Sequence, residues 1–215
     1  MPRYYPISLD LSGKLCLVVG GGAVAERKVA GLLDAGARVR VISPELTPTL
    51  QALADAQRIE VLLAPYETAC LADAGLVFAA TNRREVNARV AQEAGARGLL
   101  VNVADAPEAS SFHVPALIRR GDFCLSISTG GKNPLLAARL SDELETRFGP
   151  EYGAFVELLG QMRDYIKGMT DLPPLRHRAL ERLLDAENEL CALLRASEGD
   201  AARTYAEALI REVLE

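Results

Sequence analysis

Short apolar runs alternate with segments of helical period along the first half of the chain. Leu15-Cys16-Leu17-Val18-Val19 is an uninterrupted apolar run of strand length. After it Ala25, Val29, Leu32 and Leu33 recur on one helical face until Gly36 stops the helix. Arg38-Val39-Arg40-Val41-Ile42-Ser43 predicts a second strand, residues 46–56 a helix, and residues 59–63 a third strand. Leu76-Val77-Phe78-Ala79-Ala80 predicts a fourth, buried strand, and Asn82 stands where it would cap a helix running through Ala94. Leu99-Leu100-Val101-Asn102-Val103 predicts the fifth. This β-α-β-α-β order implies an α/β fold: a Rossmann-type doubly wound parallel sheet, with ligands at the carboxyl ends of its strands.

Beyond Asp105 the pattern changes. Residues 111–118 and Phe123-Cys124-Leu125-Ser126-Ile127-Ser128 are apolar segments joined by Arg119-Arg120-Gly121-Asp122, which predicts a hairpin. Pro115 would confine the first arm to an edge or a bulge. A hairpin this apolar would aggregate if left bare, so it is expected to pair with a second subunit. From Asn133 the chain reads as helical. Phe155, Leu158, Leu159, Met162, Tyr165, Ile166 and Met169 form one helical stripe, and Leu180, Leu183, Leu184, Leu190 and Leu194 another. Asp171-Leu172-Pro173-Pro174 separates them. The expected organisation is a dinucleotide domain over 1–110, a dimerisation hairpin segment over 111–148 and a small C-terminal helical domain over 149–215.

Composition narrows the picture modestly. At 215 residues and 49% hydrophobic the chain can bury a sizeable core, and none of its apolar runs is long enough to span a membrane. Met1-Pro2-Arg3-Tyr4-Tyr5-Pro6 lacks the apolar centre of a secretory signal, so a cytoplasmic location is expected. Cys16, Cys70, Cys124 and Cys191 are widely separated, form no Cys-x-x-Cys pair, and read as buried reduced thiols. A net charge of −5 argues against general nucleic-acid binding.

The candidate chemistry begins directly after the first strand. Gly20-Gly21-Gly22-Ala23-Val24-Ala25 joins strand to helix in the form Gly-x-Gly-x-x-Ala of a dinucleotide phosphate turn. Gly20 allows the tight turn, Gly22 lets the backbone approach the pyrophosphate, and the small Ala25 lets the helix pack close to the sheet. The helix N-terminus presents free N–H groups to the anion. The acidic residue that usually grips the adenine ribose is missing from the end of strand two. Ser43 stands there, with Pro44 next and Glu45 two residues on. No arginine follows at once to favour a 2′-phosphate, so NAD is expected, with contacts at Ser43, Pro44 and Glu45. Thr81 and Asn82, after strand four, should flank the nicotinamide half.

Three blocks together carry a more specific resemblance. They are Val19-Gly20-Gly21-Gly22-Ala23-Val24-Ala25-Glu26-Arg27-Lys28, Asn102-Val103-Ala104-Asp105-Ala106-Pro107, and Ser126-Ile127-Ser128-Thr129-Gly130-Gly131-Lys132-Asn133-Pro134. In order and spacing they resemble the precorrin-2 dehydrogenase and sirohydrochlorin ferrochelatase family of siroheme synthesis, over about the first two thirds of the chain. The resemblance implies a homodimer and NAD-dependent oxidation of precorrin-2 to sirohydrochlorin; some members also insert Fe²⁺. Some relatives carry an appended methyltransferase; with this chain ending at Glu215, that activity is expected to be absent.

Resemblance places the catalytic aspartate on Asp105, where a carboxylate could accept a proton or orient the macrocycle. Taken alone, Asp105 before Ala106-Pro107 would read as a turn former. Ser128, Thr129, Gly130, Gly131 and Lys132 form a turn ahead of a helix that could hold a substrate carboxylate or simply cap the helix. No protein metal site is expected, because nothing resembles a His/Cys cluster. His113 and His177 are the only histidines, and His113 is expected to be structural or partly exposed. Arg119, Arg120, Lys132 and Arg139 against the single acid Asp122 between Ser110 and Leu140 suit a polycarboxylate substrate, or are plain surface. Two other classes of function stay open on these residues: a non-catalytic NAD-sensing regulatory module, and a dinucleotide-dependent reductase of another small molecule.

Overall fold

The structure, a computed structural model, describes residues 4–215. The chain divides into two compact units after Val114. The first holds strands β1 (Leu15–Val19), β2 (Arg38–Ile42), β3 (Glu60–Leu62), β4 (Leu76–Ala79) and β5 (Leu100–Val103). They form one parallel sheet in the order β3-β2-β1-β4-β5. The order reverses between β1 and β4, and a crevice opens at such a switch point on the carboxyl side.

Every residue of β1 and β4 is buried, as their continuous apolar runs require of central strands covered on both faces. Helices α1 (Ala23–Asp34) and α2 (Pro48–Asp55) cover one face, where Cys16, Val18, Val39, Val41 and Phe78 meet Ala25, Val29, Leu32 and Leu50. Helix α3 (Arg84–Ala96) covers the other, where Val90 and Ala94 pack with Leu17, Val19, Val77, Val101 and Val103. The β3-to-β4 crossover contains only a short 3-10 turn over Thr68–Leu71.

The outer edge of β5 is closed by side chains. Ser111 Oγ accepts the Val101 N–H (2.8 Å) and Ser110 Oγ accepts the Val103 N–H (2.9 Å), while the Ser111 N–H returns to the Val101 carbonyl. Residues 110–112 are therefore tied to β5, and the hairpin expected from residue 111 begins only at Ala116. Edge N–H groups without a neighbouring strand need such partners.

The second unit contains the hairpin of β6 (Ala116–Arg120) and β7 (Phe123–Ile127), then α4 (Pro134–Arg147), α5 (Glu151–Met169), α6 (Pro173–Asp185), α7 (Glu187–Arg195) and α8 (Gly199–Leu214). Arg120 pairs with Phe123, so the turn is Gly121-Asp122 alone rather than four residues, and Pro115 lies just outside the first arm. Phe155, Leu158, Met162 and Ile166 of α5 meet Leu183, Leu190, Leu209 and Ile210 from the last three helices. Ala179, Ala202 and Ala206 are wholly buried, and their small side chains let those helices approach closely. The stripe through Leu180–Leu194 is broken at Ala186, with no proline or glycine to announce it. Glu187 and Glu189 in the first turn of α7 favour a fresh helix N-terminus there.

One ion pair ties this bundle together. The Glu151 carboxylate, only 5% exposed, accepts a hydrogen bond of 2.6 Å from Arg195, whose guanidinium holds the Glu151 carboxyl below its usual range. A lowered folded-state value stabilises above the unfolded value, roughly 4.3, and the contribution is lost as pH falls through the folded value. Arg195→Ala is therefore expected to lower the thermal midpoint at pH 7. The deficit should close in melts repeated at progressively more acidic pH; a deficit unchanged by acid would show that the carboxylate is not its source.

Candidate functional site

The turn that leaves β1 is shaped by what surrounds it. The Gly20 N–H still donates to the Ile42 carbonyl, and Gly20 has φ +122, where a Cβ would lie 2.3 Å from the Ala80 carbonyl oxygen. Gly21 is tighter still: its Cβ would sit 2.0 Å from the Glu45 carbonyl oxygen and 2.8 Å from Ser43 Oγ. The sequence reasoning gave Gly21 no role of its own, yet this residue lets the loop after β2 close against the turn. Gly22 differs. It has φ −90, N-caps α1 without any side-chain hydrogen bond, and a Cβ there would meet nothing within 4 Å.

The space above Gly22 and the first-turn N–H groups of α1 at Ala23 and Val24 make the cradle a pyrophosphate needs. Ala25, wholly buried, packs the helix against the sheet as expected of the small third residue. These residues fit a dinucleotide.

The loop after β2 is locked to this turn. Ser43 Oγ donates to the Glu45 carbonyl at 2.6 Å, so the hydroxyl is spent inside the loop, while Pro44 and Glu45 stay exposed. The Thr47 N–H donates to the Gly21 carbonyl, and its hydroxyl donates to Glu26 at 2.7 Å and caps α2. Thr47 was missed, although Thr-Pro ahead of a helical segment is a recognisable start signal.

Thr81, after β4, and Asp105, after β5, are joined through a residue the sequence reading passed over. Asn87, on α3 and 1% exposed, donates from Nδ2 to the Thr81 carbonyl (3.0 Å) and to Asp105 Oδ1 (2.8 Å). Its Oδ1 accepts from the Thr81 N–H (3.1 Å) and hydroxyl (2.7 Å). Asp105 Oδ2 lies 3.7 Å from Arg84 Nε, and its side chain is one-third exposed. Asn82 does not cap α3. The helix starts at Arg84, its Ncap is Arg83, and the Thr81 hydroxyl takes the Arg83 N–H, leaving Asn82 exposed. One signal could have found Asn87: it falls on the stripe of Val90 and Ala94, a polar residue at a buried phase.

The second candidate turn belongs to the other unit. Gly130 N–H donates to Ser128 Oγ, and Thr129 Oγ1 accepts the Asn133 N–H. Asn133, not the turn, caps α4 by accepting the Leu136 N–H at 2.9 Å. Gly130 and Gly131 carry positive φ, and Lys132 is exposed. His113 is structural: its Nε2 shares a 2.6 Å hydrogen bond with the Tyr4 hydroxyl, ring edge against ring. Arg120 is not plain surface, being 21% exposed and paired with Glu145 at 3.1 Å. All four cysteines are free thiols; Cys16 and Cys191 are buried, but Cys124 is exposed because it alternates outward on β7. Among the described residues no three His, Cys, Asp or Glu side chains gather as a metal site, and no helix is long and apolar enough to cross a membrane.

Residues 7–116 match the family described as "Putative NAD(P)-binding". Siroheme synthase 1 of Aeromonas salmonicida (strain A449) is 44% identical over 198 residues, covering 92% of this chain and 42% of the relative. The siroheme synthase of Methylobacillus flagellatus is 44% identical over 162 residues, 75% of this chain and 35% of the relative. The chain thus spans well under half the length of these relatives. The solved structure of SirC, precorrin-2 dehydrogenase, superposes with a TM-score of 0.76 at 25% identity, covering 95% of this chain and all of that one. The glycine turn, the parallel sheet that carries it and these likenesses lead to one conclusion: the chain belongs to the NAD(P)-binding family of the siroheme synthases and precorrin-2 dehydrogenases.

Proposed function

We propose that this protein oxidises precorrin-2 to sirohydrochlorin with NAD in siroheme biosynthesis. The observation that carries the reading is the Asp105 carboxylate, anchored by Asn87 at the carboxyl end of β5 in the sheet that bears the glycine turn. Gly20, Gly21, Gly22, Ala23 and Val24 hold the pyrophosphate. The backbone at Ser43, Pro44 and Glu45 holds the ribose of the adenosine half, and Thr81 and Asn82 flank the nicotinamide. Bound NAD supplies the hydride acceptor, and Asp105 takes the proton released as the tetrapyrrole is oxidised.

Substrate carboxylates are met by Ser128, Thr129, Gly130, Gly131 and Lys132, where backbone N–H groups and one ammonium are exposed ahead of a 14-residue helix. Four free thiols suit a reducing compartment, which supports a cytoplasmic location. The direct test is the absorbance of precorrin-2 incubated with the protein. NAD-dependent appearance of the sirohydrochlorin spectrum is expected, and a spectrum that never changes with NAD present would leave the sensing module as the better reading.

A homodimer built through residues 111–148 completes the proposal. Ile118 is buried within the second unit, but Leu117, Leu135 and Leu136 are exposed, Leu135 to 83%. Helix α4 has no buried residue over its 14 positions, and helices gain most of their stability from packing an apolar face. A second copy would cover that face and the open hairpin edges. Light scattering at micromolar concentration should give twice the chain mass, and Leu135→Glu should shift it toward the monomer. A monomeric mass for the unsubstituted protein would reject the dimer.

A further inference from the structure

We infer that Asn87 is a positioning residue for the oxidation, pinning one oxygen of Asp105 and joining it to the Thr81 backbone so that only Asp105 Oδ2 remains to accept a proton. The inference rests on the reading of Asp105 as proton acceptor and goes beyond it by assigning an oxygen and a residue that acts through it.

The orientation of the Asn87 amide follows from its partners. The Thr81 N–H can only donate, so Asn87 must present Oδ1 to it; the Thr81 carbonyl can only accept, so it must face Nδ2. The amide is then fully used. Both Nδ2 protons are committed, one to Thr81 O and one to Asp105 Oδ1, and Oδ1 takes the Thr81 N–H and hydroxyl. A buried amide satisfied on every side has one low-energy setting, because any rotation strands a buried polar group. Asp105 Oδ1 therefore has a fixed donor. Oδ2 has only the Arg84 guanidinium at 3.7 Å, beyond hydrogen-bond reach, on a side chain 91% exposed.

The chemistry then balances on one oxygen. A substrate C–H bond breaks and its hydride, with two electrons, passes to NAD⁺ to give NADH. An N–H or C–H proton passes to Asp105 Oδ2 as a new double bond forms in the macrocycle, and the carboxylic acid later returns that proton to water. Asn87 touches none of these atoms. Its part is to hold the carboxylate at one angle and to keep that angle in register with the Thr81 backbone, where the nicotinamide half is expected. An error of an ångström in such placement is costly to turnover.

Two variants at the position divide its contacts. Asn87→Ser is too short to reach both partners; Asn87→Asp can still accept from Thr81 but has no proton for Asp105. For variants that keep the far-UV spectrum and bind NAD in calorimetry, kcat should fall roughly tenfold or more, with KM for precorrin-2 within about twofold. In an Asp105→Asn background the same changes should alter kcat by less than about twofold, since a residue acting through Asp105 has nothing left to position. A merely structural role would instead multiply the two losses. A folded Asn87 variant with wild-type kcat, or a full multiplicative loss in the double variant, overturns the inference. Wild-type activity in Asp105→Asn alone overturns the reading of Asp105 instead. A further measurement leaves Asn87 intact: its side-chain amide resonances should move in Asp105→Ala, and unmoved resonances would refute the contact.

Discussion

Asp105→Asn is expected to lower precorrin-2 oxidation by about a hundredfold or more, the range typical when a general base is lost. The substitution keeps the shape of the side chain and an oxygen able to accept from Asn87, which removes the usual objection that the site has collapsed. What goes is the basic oxygen. NAD affinity should stay close to wild type, because the residues proposed to hold the dinucleotide lie after β1, β2 and β4 while Asp105 follows β5. Steady-state rates with saturating NAD, together with calorimetric NAD titration, check both halves. A wild-type rate would remove Asp105 from the oxidation. A variant that oxidises normally but no longer inserts Fe²⁺ into the product would assign the carboxylate to chelation, with iron as a substrate.

The second large effect concerns the glycine turn, where neighbouring glycines are expected to fail in different ways. A Cβ at Gly22 meets nothing within 4 Å and φ is an ordinary −90, so Gly22→Asp should fold. Its carboxylate would occupy the space proposed for the pyrophosphate. Juxtaposed like charges cost several kcal/mol, so NAD affinity should fall roughly a hundredfold or more. Gly21→Ala brings its methyl against the Glu45 carbonyl oxygen, so it must push the loop after β2 away, at a cost on the order of 1–3 kcal/mol in folding. Calorimetry should therefore show a stable Gly22→Asp protein blind to NAD, and a thermal melt should show a weakened Gly21→Ala protein. Undiminished NAD affinity in Gly22→Asp would refute the placement of the pyrophosphate.

The elements that position the site were legible in the chain because their signals are local. A five-residue apolar run needs burial on both faces, and three glycines between it and a helical stripe can be read without knowing any neighbour. The misreadings share a cause. Asn82 has the right chemistry and nearly the right place for a cap, but a better-placed hydroxyl at Thr81, already fixed by Asn87, takes the N–H at the helix start. Residues 111–115 look like a strand arm by composition; they are held elsewhere because Ser110 and Ser111 serve the free edge of β5. Arg120 reads as surface at a hairpin tip, yet in the folded unit it is mostly covered and paired with Glu145.

By itself the sequence determined the parallel sheet, its strand order of appearance, the phosphate turn and the carboxylate at the end of β5, since each rests on residues within a dozen positions of one another. Only the tertiary structure decided what those groups do to each other. That Gly21 rather than Gly22 is demanded by the fold depends on a carbonyl 24 residues away at Glu45. That Asp105 has one pinned oxygen depends on an amide 18 residues earlier. The physical reason is the reach of the forces involved. Hydrophobic periodicity and turn preference act along the chain, whereas close packing and hydrogen bonds to buried groups act through space and exist only once distant segments have met.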